Sequence, residues 1–290
     1  MRAKVGIEEV VRELCRELAR PGAVLSDHAL LADLGLDSLA CADLATGIEE
    51  RLGVRLADGE VATLRTLADV AEAVRREVPP RPRISPGLGR YQAAAKLISG
   101  HLIRWYCRLE VKGADLVPAA GPAIIAANHR SMWDLPVHAV STPRPITFIG
   151  KQELFADPIR RNAWRLLGGF PVRPEIADLR ALDTAVALLE QGEAIGIYPE
   201  GTRSLKGQML PFLKGAAWMA LRTGAPIVPC GIRGTLRLIE PNPSFRKKVR
   251  VAFGPPLRIE PEPLPLARRR KADEITADLL QAITSLLTQP

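Results

Sequence analysis

The chain has 290 residues, of which 47% are hydrophobic and 25% charged, a composition that excludes a disordered or low-complexity protein. Its length exceeds the roughly 100 to 200 residues of a typical domain and predicts two domains. Residues 1–78 carry 10 basic and 15 acidic side chains and the remainder 30 and 17, so the net charge of +8 divides into −5 and +13. The basic half suits anionic lipid, phosphorylated substrates or an acidic protein partner. No nucleic-acid motif accompanies it, so nucleic acid is not a predicted partner.

The cysteines and the N-terminus indicate a cellular compartment. The four cysteines form no C-x-x-C pair and have no metal-ligand spacing with the four histidines, which predicts buried thiols and no metal. The N-terminal stretch is amphipathic, unlike a signal peptide, and no apolar run reaches about 18 residues. These features predict a protein of the reducing cytoplasm.

The acidic N-terminal region reads as a set of helices. Apolar spacing predicts a helix over Val5–Arg20, ended by Pro21 and Gly22. A second helix begins near Ser38, and Thr66 caps a last helix with Asp69 in capping-box position. A serine at a helix start is accessible to a modifying enzyme, and the helix N-terminus favours a phosphate attached there. The alternative is that Ser38 is an N-cap with no further role.

The sequence LGLDSL, followed by a helix within an acidic region of 78 residues, resembles an acyl carrier protein. The resemblance implies a four-helix bundle over residues 1–78 with 4′-phosphopantetheine attached covalently to Ser38 by a phosphopantetheinyl transferase. It also implies that the helix after the serine presents acids to partner enzymes, a character that Asp37, Asp43, Glu49 and Glu50 match. The alternative for these acids is a solvated helix face.

A proline-rich linker, residues 79–90, separates the acidic region from the rest and is predicted to be extended. Residues 91–109 then show apolar residues at helical spacing, interspersed with arginines. That helix rests on a membrane surface or packs against the core of its own domain, and its sequence leaves both alternatives open. His101 and Arg104 argue against a transmembrane segment.

From Val111 onward, short apolar runs alternate with helical stretches of about ten residues. This pattern predicts an α/β domain over residues 91–290, with a parallel or mixed sheet flanked by helices and functional loops at strand ends. His129 and Glu200 both follow such runs.

The stretch Ile124–Asp134 pairs a histidine with an acid five positions later. Residues five apart in one helix diverge by roughly 140°, so His129 is predicted to follow a strand at Ala123–Ala127, with Asp134 in the first turn of a helix capped by Ser131. A neutral imidazole takes a proton from a hydroxyl near neutral pH, and a carboxylate fixes its tautomer. The alternative is that Ser131 and Asp134 form a capping box and nothing more.

Two later segments supply candidates for binding an anion. The EGTRS segment offers a glycine for close backbone approach, a hydroxyl and a guanidinium that matches phosphate oxygens, at Gly201, Thr202 and Arg203. A surface turn with an Arg–Glu pair is the alternative. Arg173 in GGFPVRP is a second basic candidate, while Lys151 and Lys214 carry little weight.

The segment NHRSMWD resembles the HX4D motif of the glycerolipid acyltransferase family, which includes the lysophosphatidic acid acyltransferases. FPVR, YPEGTRS and IVPCGI resemble the family's later blocks and occur in the family's order. The resemblance implies that His129 and Asp134 are catalytic. It further implies an acceptor- and phosphate-binding set of Arg173, Glu200, Gly201, Thr202 and Arg203. Val172 departs from the acid or amide of many members and leaves the acceptor open.

The two resemblances together imply a fatty acyl transfer from a phosphopantetheine thioester, on the carrier or on coenzyme A, to a hydroxyl of a lysophosphatidic-acid-like acceptor in phospholipid biosynthesis. They are compatible with peripheral contact at the inner face of the membrane. One alternative is a tailoring acyltransferase that acts on a sugar, polyketide or amine in a specialised pathway. Another is a non-catalytic carrier or acyl-binding module.

Overall fold

The structure is a computed structural model that describes residues 6–20, 22–36, 38–54, 56, 64–76, 100–101, 103–151, 169–172, 179–204, 208–238, 248–262 and 265–288. The predicted linker at 79–90 and Arg173 lie outside the described residues. The chain divides into two compact units, which are described separately.

The first unit contains three helices among its described residues: α1 at Ile7–Leu18, α2 at Ser38–Leu52 and α3 at Leu67–Val74. Most of their buried positions are apolar and include Leu14, Leu44, Ile48 and Val70. Gly47 lets α1 approach α2 closely, since a Cβ there would lie 2.6 Å from Leu14 Cδ2. The helix predicted from residue 5 is confirmed over its described part, and α2 begins at Ser38 as predicted.

The predicted capping box of α3 is confirmed. The Thr66 side chain accepts the Asp69 N–H, and the Asp69 carboxylate accepts the Thr66 N–H at 2.9 Å. These backbone hydrogen bonds, led by the one from Thr66, lower the pKa of Asp69. A short sequence pattern therefore fixes the start of this helix.

One acid of α2 departs from its prediction. Asp43 was predicted on an exposed acidic face, but its side chain is fully buried and its carboxylate binds the Arg268 guanidinium at 2.9 Å. Arg268 lies in the first turns of the C-terminal helix, within residues 262–270, which belong to the same unit. Asp43 can be buried because Arg268, from a distant part of the chain, neutralises its charge. The spacing of acids along α2 carries no information about that partner.

The second unit is built on a sheet of seven strands among the described residues. The strands are β1 Leu109–Lys112, β2 Ala123–Ala127, β3 Thr147–Lys151, β4 Gly169–Val172, β5 Ala194–Ile197, β6 Ile227–Arg233 and β7 Val249–Phe253. Their spatial order is β1-β7-β6-β2-β5-β3-β4. Only the β6–β7 pair is antiparallel, so the sheet of the described residues is mixed, as predicted.

Four helices complete the described α/β pattern: α4 Asp134–Ser141, α5 Leu179–Glu190, α6 Gly215–Thr223 and α7 Pro265–Thr288. The strand predicted at Ala123–Ala127 forms β2, and short strands alternate with helices as predicted. The predicted α/β class is therefore confirmed.

The helix predicted at 91–109 is described only near its end, where residues 103–107 are helical. Ile103 and Cys107 pack into the core of the sheet, while Trp105 and Tyr106 are 54% and 38% exposed. One side of this segment therefore packs on its own domain and another meets solvent. Across the residues that are described, no helix combines the length and apolarity needed to cross a bilayer.

The predicted buried thiols are confirmed for Cys15, Cys107 and Cys230. Burial raises the pKa of Cys15 to about 12 and that of Cys107 to about 11, so these thiols stay protonated at neutral pH.

Candidate active site

The candidate site lies where the central strand β2 ends. All five residues of β2 are buried between β5 and β6. Asn128 follows directly, and its side chain is also buried. Its amide donates to the Ile232 carbonyl oxygen at 3.0 Å and accepts the Ile232 N–H at 2.7 Å. This double hydrogen bond to β6 fixes the point at which the chain leaves the sheet, one residue before His129.

His129 and Asp134 meet as the sequence predicted from their spacing. The His129 Nδ1 lies 2.9 Å from Asp134 Oδ2, with the histidine side chain 20% exposed and the aspartate side chain fully buried. Because a carboxylate only accepts hydrogen bonds, the neutral form of the ring carries its proton on Nδ1 and has its lone pair on Nε2. This is the tautomer that a general base needs.

The loop between β2 and α4 is organised by Asp134 rather than by Ser131. Asp134 Oδ2 also accepts the N–H groups of Arg130 and Ser131, at 2.5 and 2.7 Å. The prediction that Ser131 caps the helix is wrong: the N-cap is Trp133, and the Ser131 hydroxyl accepts the Trp133 N–H at 3.2 Å. The helix begins later than predicted because the loop amides converge on the carboxylate. Asp134 therefore both shapes the loop and binds the imidazole.

An aromatic ring lies against the imidazole. Tyr198, directly after β5, stacks on His129 with ring centroids 4.2 Å apart and planes inclined by 19°. Its hydroxyl is buried and makes no hydrogen bond. Burial, and next the charge of Asp134, raise the pKa of Tyr198 well above its usual value. The phenol therefore stays neutral and presents a ring face to His129.

The main chain of His129 is held by the EGTRS segment. Glu200, 5% exposed, accepts the His129 N–H at 2.7 Å through Oε1 and the Leu210 N–H at 2.9 Å through Oε2. The His129 carbonyl oxygen accepts the Ser204 N–H at 2.8 Å and the Ser204 hydroxyl at 3.3 Å. Both polar groups of the His129 backbone are thus bound by residues 71 and 75 positions away.

The remainder of this segment faces solvent. Gly201, Thr202 and Arg203 are exposed. Gly201 has a φ of +66°, a left-handed backbone conformation that favours glycine. Arg203 is thus an exposed cation that directly precedes Ser204, a residue bound to the His129 backbone.

Other predicted residues are not brought to this place by the described structure. Arg173 lies outside the described residues, and Ser38 is the first residue of α2, in the first unit. Lys151 is the last residue of β3. Lys214 forms an ion pair with Asp273 at 2.6 Å. The predicted roles of Arg173 and Ser38 stay predictions.

Sequence reasoning missed three residues that touch or position His129: Asn128, Tyr198 and Ser204. A polar residue directly after five apolar strand residues was a usable signal for Asn128. No local pattern distinguishes Tyr198 or Ser204, because each meets His129 through the pairing of distant strands.

The chain matches known proteins over both of its halves. The family model described as Acyltransferase matches residues 108–233, and the one described as Phosphopantetheine attachment site matches residues 8–74. The chain resembles the crystal structure of the 1-acyl-sn-glycerophosphate acyltransferase PlsC from Thermotoga maritima, with a TM-score of 0.54 and 25% identity over 69% of this chain and 80% of that one.

Curated relatives carry the same description. The 1-acyl-sn-glycerol-3-phosphate acyltransferase of Bacillus subtilis is 30% identical over 151 residues, which cover 51% of this chain and 73% of that protein. The chloroplastic enzyme of Brassica napus is 29% identical and the human alpha enzyme 35% identical, over 50% and 42% of this chain. The chain spans only 43% and 44% of those two proteins. The chain contains a phosphopantetheine-attachment domain in addition to its acyltransferase domain. It belongs to the family of 1-acyl-sn-glycerol-3-phosphate acyltransferases.

Proposed function

We propose that the chain is an acyltransferase that moves a fatty acyl group from a phosphopantetheine thioester to a hydroxyl of a lysophosphatidic-acid-like acceptor. The observation that carries this proposal is the 2.9 Å contact between His129 Nδ1 and Asp134 Oδ2. It leaves Nε2 as a base with no nucleophile of its own, which fits direct attack by an acceptor hydroxyl.

The reaction follows from that geometry. His129 Nε2 removes the proton of the acceptor hydroxyl while the oxygen attacks the thioester carbonyl carbon. Asp134 stabilises the imidazolium that forms. The tetrahedral intermediate then breaks its C–S bond, and the departing sulfur takes the proton from Nε2. The products are an ester and a free thiol, with no change in oxidation state.

The donor is proposed to be 4′-phosphopantetheine attached to Ser38 by a phosphopantetheinyl transferase. Ser38 opens α2, a helix of 15 residues, where backbone N–H groups and the helix dipole favour a phosphodiester. The attached group would supply the thiol that carries the acyl chain. Coenzyme A carries the same arm and is the alternative donor.

The acceptor is proposed to carry a phosphate. The exposed guanidinium of Arg203, adjacent in sequence to the residues that hold His129, has the planar form that binds phosphate oxygens in pairs. Arg173 is proposed as a second contact. A tailoring acyltransferase for a sugar, polyketide or amine is the second candidate, favoured by the carrier domain in the same chain and by Val172 at the end of β4.

One experiment separates these candidates. The protein is loaded with an acyl group on its carrier and offered a panel of lysophospholipids, amino sugars and amines, and mass spectrometry identifies the acylated product. Acylation of lysophosphatidic acid supports the first proposal. Acylation of an unphosphorylated acceptor alone supports the tailoring enzyme, and release of no product from loaded protein supports a non-catalytic carrier.

We also propose that the acyl chain on Ser38 is delivered to His129 of the same chain. The carrier half has a net charge of −5 and the other half +13, which favours association between them. Tethering by a short linker raises the effective concentration to the order of millimolar, so weak docking suffices. Transfer is then first order, and its rate is independent of enzyme concentration and falls with added salt.

The test uses two kinds of chain. Protein loaded with a labelled acyl group, either wild type or His129→Ala, is mixed with acceptor and an excess of Ser38→Ala protein. Delivery within one chain predicts that His129→Ala on the loaded chain abolishes most transfer. An unchanged rate means that the added enzyme does the work and that delivery occurs between chains.

The protein is further proposed to work in the cytoplasm at the inner face of the membrane. Trp105, Tyr106 and Met132 are exposed, the last at 55%, and the Tyr106 and Trp133 ring centroids lie 5.9 Å apart. Aromatic side chains of this kind favour the lipid interface. Sedimentation with anionic vesicles should weaken in Trp105→Ser and stay unchanged in Val24→Ser, an exposed apolar residue of the first unit. Equal sedimentation of both variants contradicts the proposal.

A further inference from the structure

Both carboxylate oxygens of Glu200 accept a hydrogen bond from the protein backbone. Its side chain is buried, Oε1 accepts the His129 N–H at 2.7 Å, and Oε2 accepts the Leu210 N–H at 2.9 Å. A residue that binds an acceptor needs an oxygen facing the site. Glu200 instead bridges the loop that carries the base and the loop that follows its own segment.

The opposite side of the same residue is also bound. The His129 carbonyl oxygen accepts two hydrogen bonds from Ser204, whose side chain is buried. A loop residue normally satisfies its backbone with water and moves accordingly. Here the N–H and C=O of His129 are both satisfied by protein, which removes that freedom.

The imidazole is supported in a third way. Tyr198 stacks on one face of the ring at 4.2 Å, and behind Tyr198 lie the rings of Phe148 and His138, at centroid distances of 6.2 and 5.8 Å. Tyr198 thus belongs to a cluster of four rings, and its neighbours restrict its movement. Its hydroxyl makes no hydrogen bond, so the ring face is what acts on His129.

We propose that Tyr198, Glu200 and Ser204 are positioning residues that hold His129 for catalysis, and that Glu200 does not bind the acceptor. This inference rests on the proposed function of His129 as the base. The YPEGTRS segment is then divided between two tasks: its buried residues orient the base, and its exposed Arg203 meets the acceptor. Misplacement of a reacting group by about 1 Å costs on the order of 10²-fold in rate, so such holding affects kcat directly.

The test separates positioning from acceptor binding by kinetics. Glu200→Gln retains the shape of the side chain but presents an amide NH₂ to one of two backbone N–H groups. It is expected to lower kcat about 10- to 100-fold with little change in the Michaelis constant for the acceptor. Glu190→Gln, the same change at an exposed position of α5, is the control and should retain wild-type kinetics. A raised acceptor Michaelis constant with unchanged kcat in Glu200→Gln overturns the proposal.

A second pair of variants tests the same proposal even if the Glu200→Gln protein does not fold. Tyr198→Phe keeps the ring and loses only a hydroxyl without partners, so its kcat should stay near that of the wild type. Tyr198→Leu removes the stacked face and should lower kcat with the acceptor Michaelis constant unchanged. Equal kcat values in the two variants contradict stacking as the basis of positioning.

A readout without turnover keeps this inference separate from the proposed function. The ¹⁵N resonances of the His129 ring, assigned by their loss in His129→Ala, report its tautomer in substrate-free protein. In the wild type they should show a single tautomer protonated at Nδ1, and in Glu200→Gln and Tyr198→Leu a mixture or exchange broadening. If the wild type acylates no acceptor, the proposed function fails, but the spectra still test whether these residues position His129. Unchanged resonances in both variants overturn the positioning proposal.

Discussion

Backbone N–H groups of the loop after β2 donate hydrogen bonds to the Asp134 carboxylate. One oxygen accepts three N–H donors, from the His129 ring and from the backbones of Arg130 and Ser131. The two backbone bonds fix the carboxylate before the imidazole binds it. Hydrogen bonds of this charge-assisted kind are shorter and stronger than neutral ones, so the dyad is rigid as well as correctly spaced.

Removal of the base should be the most damaging single change. His129→Ala is expected to lower kcat about 10²- to 10⁴-fold with the fold retained, the usual cost of losing a general base. Asp134→Asn should lose nearly as much, since a neutral amide no longer stabilises the imidazolium that forms. Acyl transfer is measured with a thioester donor and folding by circular dichroism, with His101→Ala as an exposed-histidine control. Near-normal turnover in folded His129→Ala contradicts the assignment.

The acceptor contact is tested by a change that conserves charge. Arg203→Lys should raise the Michaelis constant for a phosphorylated acceptor more than that for the acyl donor, because lysine cannot form the paired hydrogen bonds of a guanidinium. Arg250→Lys on β7 is a matched change away from the dyad. Equal effects of Arg203→Lys on both substrates would place Arg203 outside the acceptor site.

At the scale of elements, α3 shows how four residues of sequence determine a helix start. Thr66 and Asp69 satisfy each other's backbone N–H groups, which otherwise have no partner within the helix. The same logic failed for Ser131, whose hydroxyl accepts the Trp133 N–H before the helix begins and not an N–H of its first turn. A capping pattern therefore predicts a helix start only where the hydroxyl binds an N–H of the first turn.

Thr66→Ala should lower the stability of α3 by about 1 kcal/mol, the usual cost of losing a capping hydroxyl. Hydrogen exchange of the α3 amides measures this loss of stability, with Thr284→Ala, exposed inside α7, as the control.

The Asp69 half of the capping box adds a pH dependence. Because its folded pKa lies below the ordinary 3.8, its contribution is present above that pH and is lost as the pH falls below it. Unchanged α3 exchange in Thr66→Ala contradicts the role of the box.

At the scale of the whole chain, the first unit depends on a contact between residues 225 positions apart. Arg268 and Asp43 are both buried and lie 2.9 Å apart, and Arg268 Nε also donates to the Glu262 carbonyl oxygen at 2.8 Å. A buried charge without its partner is costly, so this pair makes residues 262–270 part of the carrier's own stability.

Arg268→Met or Asp43→Asn should each destabilise the first unit by roughly 3 to 5 kcal/mol, because each leaves a buried charge uncompensated, and the double variant should lose less than the sum. The exposed pair Arg76–Glu72 is the control, and breaking it should cost no more than about 0.5 kcal/mol. Hydrogen exchange of α1 and α2 amides monitors this unit. Additive effects of the two substitutions would show that the pair is not coupled.

The sequence by itself determined what depends on neighbouring residues. The apolar run of β2, the five-residue spacing of His129 and Asp134, and the capping box at Thr66 follow from the period of a strand, the turn of a helix and the reach of one side chain. Each of these contacts closes within five residues, so local geometry was enough to predict it.

Tertiary structure alone decided which distant groups meet. The bonds from Glu200 to His129, from Asn128 to Ile232 and from Arg268 to Asp43 span 71, 104 and 225 residues. They depend on the order β6-β2-β5 in the sheet and on the course of α7, which no short-range periodicity specifies. The family resemblance predicted that Glu200 binds the acceptor, and strand order brings one of its carboxylate oxygens to the backbone N–H of His129.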